Sequence, residues 1–326
     1  MSRLFIQSRR RKMSGKRDIT GHLALLTAYS IFGINIVSTK DIANAGVVSP
    51  IALFTMRALG ASLLFWLISL FRPKEKVPFS DLCRIVVASF FGLFITQYSF
   101  LLAIRISTPV DTSIVSTLGP IFTMFFAFFF VREPITAKKA LGVGVSLFGI
   151  IFLILNSVHQ ASGVEATRPM GYVLLLVNSL SFSLYLGAFR PLIRKYSVVT
   201  FMKWMFLFSL LMSLPFSTGD LLHTDYSAIS GKLLSEILFL VVCATFISYF
   251  LIPYGQKTVR PTLVAMYAYV QPVIAVVISI SCGMDSLTWR KAAAIALVFS
   301  GVAIVNRSRA AGTAPAETDE KETRQS

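Results

Sequence analysis

The sequence has little charge for its length. Of its 326 residues, 14% are charged and 55% are hydrophobic, whereas soluble domains carry about 25% charged residues. A net charge of +16 would suit a phosphate backbone, but the Lys and Arg residues lie in short gaps and tails between apolar stretches. Because no basic helix face forms, we exclude nucleic acid as a partner and expect membrane lipid to surround the chain.

Cysteine and histidine are also scarce. The three cysteines Cys83, Cys243 and Cys282 form no CxxC pair, and an odd number does not favour a disulfide framework. The three histidines fall at predicted helix ends or in loops. Without a nucleophile–base pair or a ligand cluster, the sequence predicts no catalytic residue, no metal site and no cofactor.

The apolar residues are grouped in ten long stretches. Residues 1–20 are basic and lack the pattern of a signal peptide, so the first stretch is expected to stay in the protein as a membrane span. A span needs about 20 residues. The ten predicted spans are 21–39, 49–71, 82–103, 109–131, 138–156, 171–189, 198–216, 234–255, 261–282 and 288–306. The predicted fold class is therefore all-α integral membrane.

The distribution of basic residues predicts the orientation. With the N-terminus in the cytoplasm, most of the 31 Lys and Arg residues fall in cytoplasmic segments, as the positive-inside rule requires. Both termini are then cytoplasmic, which agrees with an even number of spans.

The second half of the chain repeats the first at a spacing of about 150 residues. The matched pairs include Gly21 with Gly171, Pro109 with Pro261, Pro120 with Pro272, Glu133 with Asp285, and Gly149 with Gly301. The predicted division is a basic tail 1–20, repeat 21–156, external linker 157–170, repeat 171–306 and polar tail 307–326. Five spans per repeat place the copies in opposite orientations. Inverted repeats are typical of secondary transporters, whose site lies between the halves.

These features resemble the drug/metabolite transporter superfamily, in particular its ten-helix EamA-type members. The resemblance rests on Arg57 within the second span, on Leu118-Gly-Pro120 followed by Val131-Arg-Glu133, and on Gly149. The second copy repeats the later pattern with Val270-Gln-Pro272, Asp285 in place of glutamate, and Gly301. The resemblance implies two five-helix repeats, alternating access and, for bacterial members, the cytoplasmic (inner) membrane.

Arg57 is the most informative polar residue inside a span. It lies about eight residues from the start of the second span, or about 12 Å deep, where a charge usually faces the bundle interior. Asp41 and Asp111 are predicted on the same side, so a structural ion pair with either carboxylate is one interpretation. Contact with an anionic group of the substrate is the other.

Further polar and aromatic residues are predicted inside the bundle. They are Asn35, Gln97, Tyr98, Asn178, Tyr185, Tyr249, Tyr254, Tyr267 and Gln271. All except Tyr249 and Tyr254 are assigned, with Arg57, to substrate binding, because small-molecule pockets combine apolar walls with a few placed polar groups. Interhelical hydrogen bonds are the alternative role for each.

Two matched pairs are assigned to gating or structure. Pro120 and Pro272 fall in the middle of their helices, where proline frees a carbonyl and kinks the helix; a gate, a cavity wall and a simple packing kink all remain open. Glu133 and Asp285 end their helices beside basic residues and are expected to form local pairs or caps.

The sequence thus predicts a monomeric or homodimeric exporter of amino acids or related metabolites, with a small molecule as its substrate. An exchanger of nucleotide sugars or phosphorylated metabolites is the alternative within the class, although it needs more cavity cations than Arg57 and Lys203. A membrane-embedded enzyme and a receptor are the alternatives from other classes.

Overall fold

A computed structural model describes residues 2–131, 136–157, 167–259, 261–283 and 288–310, and within them the chain is helical and has no strand. Each predicted span corresponds to a helix, here numbered α1 to α10. The first five are α1 (Ser2–Ala45), α2 (Pro50–Leu70), α3 (Phe79–Arg105), α4 (Pro109–Ser116 and Gly119–Val131) and α5 (Ala137–Ser157). The second five are α6 (Pro169–Ala188), α7 (Val198–His223), α8 (Gly231–Thr258), α9 (Pro261–Met266 and Val270–Ser281) and α10 (Trp289–Ala310).

The helix starts follow from local sequence. Pro50, Pro109 and Pro169 each occupy the first turn of a helix, where the missing amide hydrogen costs nothing. The Ser49 and Thr108 hydroxyls accept hydrogen bonds from the backbone amides of Ala52 (3.2 Å) and Asp111 (3.1 Å), as N-capping residues do.

The helices have the dimensions of membrane spans. Seven of them, α1–α4 and α6–α8, are long and apolar enough to cross a bilayer, and shorter apolar helices lie at Tyr267–Ser281 and Ala292–Gly301. Large apolar side chains such as Phe129 and Leu63 are about 60% exposed on the outside of the bundle, which suits lipid and not water. The predicted all-α membrane protein is confirmed.

At three places the helices differ from the predicted spans. Helix α1 begins at Ser2, so the basic N-terminal segment continues the first span as helix, although the part that is apolar enough to cross a membrane begins at Ile19, close to the predicted residue 21. Helix α7 extends to His223, which leaves a short connection with one 3-10 turn at Tyr226–Ala228 where a loop over 217–233 was predicted. A short helix, Arg190–Lys195, follows α6.

The packing of the helices relates the two repeats by an approximate twofold exchange. Helix α1 packs against α8 and α9, and its counterpart α6 packs against α3 and α4. Helix α2 packs against α8, and its counterpart α7 packs against α3. The pairs α2 with α7, α4 with α9 and α5 with α10 each join equivalent helices.

Matched glycines permit two of these contacts. A Cβ atom on Gly21 would lie 2.4 Å from the Thr258 Oγ1, and one on Gly171 would lie 2.3 Å from the Ser107 Oγ. Each glycine therefore lets the first helix of its repeat approach the end of the third helix of the other.

Four irregular segments interrupt the helices at equivalent places. In α3 and α8, π-helical turns run over Phe90–Ile95 and Leu240–Ile247. In α4 the backbone turns at Thr117 and Leu118, and in α9 a 3-10 turn spans Tyr267–Tyr269. The predicted irregularities at Pro120 and Pro272 are therefore breaks just before each proline. Such breaks within a membrane are tolerated where they line a cavity or pack on protein, and π turns often mark functional sites.

Candidate functional site: a central cavity between the repeats

A cavity lies in the middle of the bundle, between the two repeats. Its empty space is about 730 Å³, counting the part that opens to solvent. Both repeats supply its walls, through α1–α4 from the first and α6, α8 and α9 from the second. Residues beside all four irregular segments reach it: Thr96, Gly119, Tyr249 and Ala268.

Five of the predicted binding residues line this cavity. Asn35, Arg57, Gln97, Asn178 and Gln271 come from five different helices and converge on it. The structure thus brings these five together, and their assignment to substrate binding stays a prediction.

The other three predicted binding residues lie elsewhere. Tyr185 is fully buried against Gly92. Tyr98 is half-buried and stacks on Phe94, with ring centroids 6.1 Å apart. The Tyr267 hydroxyl lies 2.6 Å from the His22 Nδ1 and so joins α9 to α1.

Arg57 is 2% exposed and is one of the residues that line the cavity. Its Nε donates to the Thr245 Oγ1 at 2.8 Å, and that hydroxyl donates to the Leu240 carbonyl at 2.7 Å. The Leu240 carbonyl belongs to the π turn of α8, where the usual helical bonding is altered. The Arg57 Nη1 has no hydrogen-bond partner among the residues that the structure describes.

The expected ion pair between Arg57 and a nearby carboxylate was wrong. Asp41 instead pairs with Lys232. Asp111 accepts hydrogen bonds from the Thr167 Oγ1 at 2.6 Å and the Tyr172 hydroxyl at 3.2 Å. Both acids are therefore engaged at the end of the bundle where α3 meets α4, and they leave Arg57 to the cavity. Among the lining residues described, none is acidic.

Aromatic rings form one wall of the cavity. Phe32 lies between Tyr29 and Tyr249, with centroid distances of 5.8 Å and 5.7 Å, and Phe182 lies 6.4 Å from Tyr249. Phe32 and Phe182 are matched residues of the two repeats, so the wall follows the twofold relation. Tyr29, which the sequence did not single out, is 1% exposed, and its hydroxyl has no hydrogen-bond partner within the described part of the chain.

The breaks in α4 and α9 are held by the first helix of the opposite repeat. The Ser183 Oγ donates to the Gly119 carbonyl at 2.8 Å. At the matched place, Gly33 brings α1 within 3.1 Å of the Gln271 carbonyl, measured from a Cβ built on Gly33. Pro120 and Pro272 are buried next to these carbonyls, and their gating or structural role stays a prediction.

The remaining predicted residues lie away from the cavity or outside the described residues. The Lys203 Nζ lies 4.7 Å from the centre of the Trp66 ring, a cation–π contact, so Lys203 does not act as a second cavity cation. Glu133 and Asp285 lie outside the described residues. No group of three His, Cys, Asp or Glu residues suited to a metal was found among the residues searched.

A second polar cluster lies where the α2–α3 connection meets the α6–α7 connection. The Lys195 Nζ and the Tyr196 hydroxyl both donate to the Asp81 Oδ2 at 2.5 Å. The hydrogen bond to Asp81 raises the pKa of Lys195. Burial would raise the pKa of Glu75, but hydrogen bonds from the Ser197 backbone amide and from the Thr200 and Ser197 side chains bring it below 4.5.

Comparison with known proteins agrees with this architecture. The model of the EamA-like transporter family matches residues 19–155 and again residues 169–307. A solved crystal structure shares the fold, with a TM-score of 0.65 and 19% identity over 92% of this chain and 99% of that one.

Three relatives have similar lengths. An uncharacterized transporter of Archaeoglobus fulgidus is 25% identical over 80% of this chain and 90% of its own. The uncharacterized transporter YetK of Bacillus subtilis is 24% identical over 81% of this chain and 80% of its own. The uncharacterized inner membrane transporter YedA of Escherichia coli is 26% identical over 86% and 89%. With a family match over both halves, this chain belongs to the EamA-like transporter family.

Proposed function

We propose that this protein is a secondary transporter that exports an amino acid or a related small metabolite by alternating access through the central cavity. The observation that carries the proposal is the cavity itself: it lies between two repeats related by an approximate twofold exchange, and it is bordered by four helix irregularities. Equivalent irregularities on both sides of one cavity suit a site that opens first to one side of the membrane and then to the other.

The lining chemistry favours a small solute with few charges. One buried cation, several amides and hydroxyls, and an aromatic wall suit a molecule that combines an acidic group with an apolar body. Phosphorylated metabolites and nucleotide sugars carry two or more negative charges and would need further cations. Lys203 does not supply one, because it lies against Trp66.

The same lining residues argue against catalysis. Among those described, none is a histidine, a cysteine or a carboxylate, so a general base and a metal ligand set are missing there. We therefore propose transport without chemical change. By the positive-inside argument we further propose that both termini lie in the cytoplasm, and from the family we propose a bacterial cytoplasmic membrane.

The test is solute flux in proteoliposomes that contain the purified protein. Each of the common L-amino acids is loaded unlabelled inside, and uptake of its radiolabelled form by exchange is measured against protein-free liposomes. Saturable, protein-dependent exchange of one or a few amino acids is the expected result. Absence of exchange for all of them would contradict the substrate class, and tags on the two termini that react from opposite sides of intact cells would contradict the topology.

A further inference from the structure

The Arg57 guanidinium is fixed on one edge and open on the other. Its Nε is engaged by Thr245, whereas its Nη1 has no partner among the residues described, although Arg57 is 2% exposed. Leaving a buried donor of a charged group without an acceptor is costly, so a group that supplies an acceptor should bind favourably there. Because Arg57 lines the cavity, a solute bound in the cavity can supply that acceptor.

The described residues that line the cavity supply no anion to Arg57. Their contribution to the cavity lining includes no carboxylate, and the nearby acids Asp41 and Asp111 are engaged elsewhere. A planar guanidinium binds a carboxylate through short, charge-assisted hydrogen bonds. Arg57 is the one cation among the described lining residues, so it matches one carboxylate; further negative charges would stay unpaired in a buried site.

Thr245 determines where that open edge points. Its hydroxyl accepts from the Arg57 Nε and donates to the Leu240 carbonyl, five residues earlier in the π turn. Because the Thr245 hydroxyl both accepts one hydrogen bond and donates another, its rotation is restricted, and it holds the guanidinium in one orientation. In the first repeat the same bond recurs from the Thr96 Oγ1 to the Phe91 carbonyl at 2.6 Å. Among the hydrogen bonds described, the Thr245 hydroxyl in α8 accepts a bond from an arginine, whereas the Thr96 hydroxyl in α3 does not.

We propose that Arg57 is a subsite for one carboxylate group of the solute and that Thr245 is its positioning residue. This inference rests on the proposed function for its transported solute, but the subsite can be tested by binding alone. The occupant carries one carboxylate group, and its apolar part lies towards the wall of Phe32, Phe182 and Tyr249.

The experiment measures thermal unfolding of the purified full-length protein with two acid–amide pairs, benzoate with benzamide and L-phenylalanine with L-phenylalaninamide. Each pair keeps its shape and changes the charge at one end. The variants are Arg57→Gln, Thr245→Val and the conservative Thr245→Ser. Ser248→Ala is the matched control, because the Ser248 Oγ also bonds a carbonyl five residues earlier in α8, at 3.0 Å, but does not contact Arg57.

We expect at least one acid to stabilise the wild type and its amide to do so at least about tenfold more weakly. Arg57→Gln should remove this difference between acid and amide. Thr245→Val should weaken binding of the acid about tenfold, as expected for one hydrogen bond to a charged group. Thr245→Ser and Ser248→Ala should bind the acid as the wild type does. Equal binding of acid and amide, no binding of either acid, or an unchanged Thr245→Val variant would overturn the proposal. Binding of benzoate without amino-acid exchange would leave the subsite standing and remove the proposed amino-acid substrate.

A separate observation concerns the two ends of the bundle. At one end, Lys232 at the start of α8 pairs with Asp41 near the end of α1 and lies 3.7 Å from the Glu236 Oε1. At the other end, Asp81 at the start of α3 pairs with Lys195, just after α6. Exchanging the two repeats makes the junction of α1 with α8 equivalent to the junction of α6 with α3. The acid lies on α1 at the first junction and on α3 at the second, so the positions of acid and base are reversed.

From this relation we infer, on the basis of the proposed function, that each ion pair is a latch that holds its helix junction together at one end of the transport path. Each joins the first helix of one repeat, or the segment just after it, to the third helix of the other, and these are the helices that line the cavity. In a twofold arrangement, movement that separates one junction brings the other together. Breaking one latch should therefore open its own end and tighten the opposite end.

The test is hydrogen exchange of the full-length protein in lipid nanodiscs, followed by mass spectrometry. Asp41→Asn should speed exchange of peptides at the α1–α8 junction and slow it at the α3–α6 junction, and Asp81→Asn should do the reverse. Lys232→Arg is the charge-conserving control, and Asp41→Lys with Lys232→Asp should restore the wild-type pattern. Acceleration confined to the mutated end, or a double variant no better than Asp41→Asn alone, would overturn the latch assignment.

Discussion

Arg57 and Thr245 lie 188 residues apart in the sequence, and the Arg57 Nε donates a hydrogen bond to the Thr245 Oγ1 at 2.8 Å. The contact joins α2 of the first repeat to the π turn of α8 in the second. It makes the cavity chemically asymmetric, although its walls follow an approximate twofold exchange. The substrate is therefore expected to bind in one orientation.

Replacing Arg57 by Ala should reduce the kcat/KM for transport at least about tenfold, because the charge-assisted hydrogen bonds to the solute are lost. Lys203→Gln is the matched control, since Lys203 is the approximate counterpart in α7 and lies over Trp66, away from the cavity. The measurement is the initial rate of amino-acid exchange in proteoliposomes, on protein that elutes as a single species. Wild-type flux from well-folded Arg57→Ala would remove Arg57 from the site.

Replacing Gly92 by Ala should destabilise the protein by about 1–3 kcal/mol, the usual cost of overpacking. The added Cβ would lie 2.6 Å from the Cδ2 of the fully buried Tyr185 ring, so the ring or the backbone would have to shift. Gly144→Ala is the control, because a Cβ there meets nothing within 4 Å. Thermal unfolding in detergent should show a lower midpoint for Gly92→Ala alone; equal midpoints for the two variants would refute the close contact between α3 and α6.

Replacing Asp111 by Asn should cost about 1–3 kcal/mol of stability, because a neutral amide oxygen accepts the two hydrogen bonds more weakly than a carboxylate oxygen does. Asp111 is 1% exposed and accepts from the Thr167 Oγ1 and the Tyr172 hydroxyl. Tyr172→Phe removes only the longer of these bonds and should cost less. The order of the two unfolding midpoints checks the prediction, and a reversed order would contradict it.

The contact between Glu75 and the start of α7 should weaken in acid. Since the hydrogen bonds from Ser197 and Thr200 lower the pKa of Glu75 below 4.5 in the folded protein, its contribution is fully present above that pH and is lost as the pH falls through the folded value. The group is largely exposed, so the contribution is below about 1 kcal/mol. The unfolding midpoints of wild type and Glu75→Gln should differ at pH 7 and converge as the pH falls through the folded pKa of Glu75; a gap that widens in acid would contradict the assignment.

The helices were predictable from sequence because hydrocarbon thickness sets the length of a span, and proline and small residues mark its ends. Pro109 and Pro261 begin α4 and α9 as expected. The repeat was also predictable, because prolines and glycines occur at matched positions in the two halves. The end of α7 was not predictable from sequence. Residues 217–223 are compatible with helix, and the Thr224 and Tyr226 hydroxyls donate hydrogen bonds to the carbonyls of Asp220 and Leu221 in its last turn.

The site was only partly predictable. A polar residue in an apolar span indicates the bundle interior, and this rule found Asn35, Arg57 and Gln271. It cannot name partners that are distant in sequence, so it paired Arg57 with nearby carboxylates and missed Thr245. The π turns depend on hydroxyl-to-carbonyl bonds such as Thr245 to Leu240, which carry no periodic signal. Tyr29 was missed because a tyrosine in a span has the same appearance in sequence whether it lines a cavity or fills a core.

The solute is expected to occupy the cavity between the repeats. Ser116 lines that cavity beside the break in α4, and the wild type, with Cys83, Cys243 and Cys282, provides the background for labelling Ser116→Cys with a water-soluble thiol reagent. The decisive measurement is the rate of this labelling in proteoliposomes with and without a saturating concentration of the amino acid that the wild type exchanges. We expect the transported amino acid to slow labelling at least about tenfold and a non-transported one to leave the rate unchanged; an unchanged rate with the transported amino acid would show that the solute does not occupy this cavity.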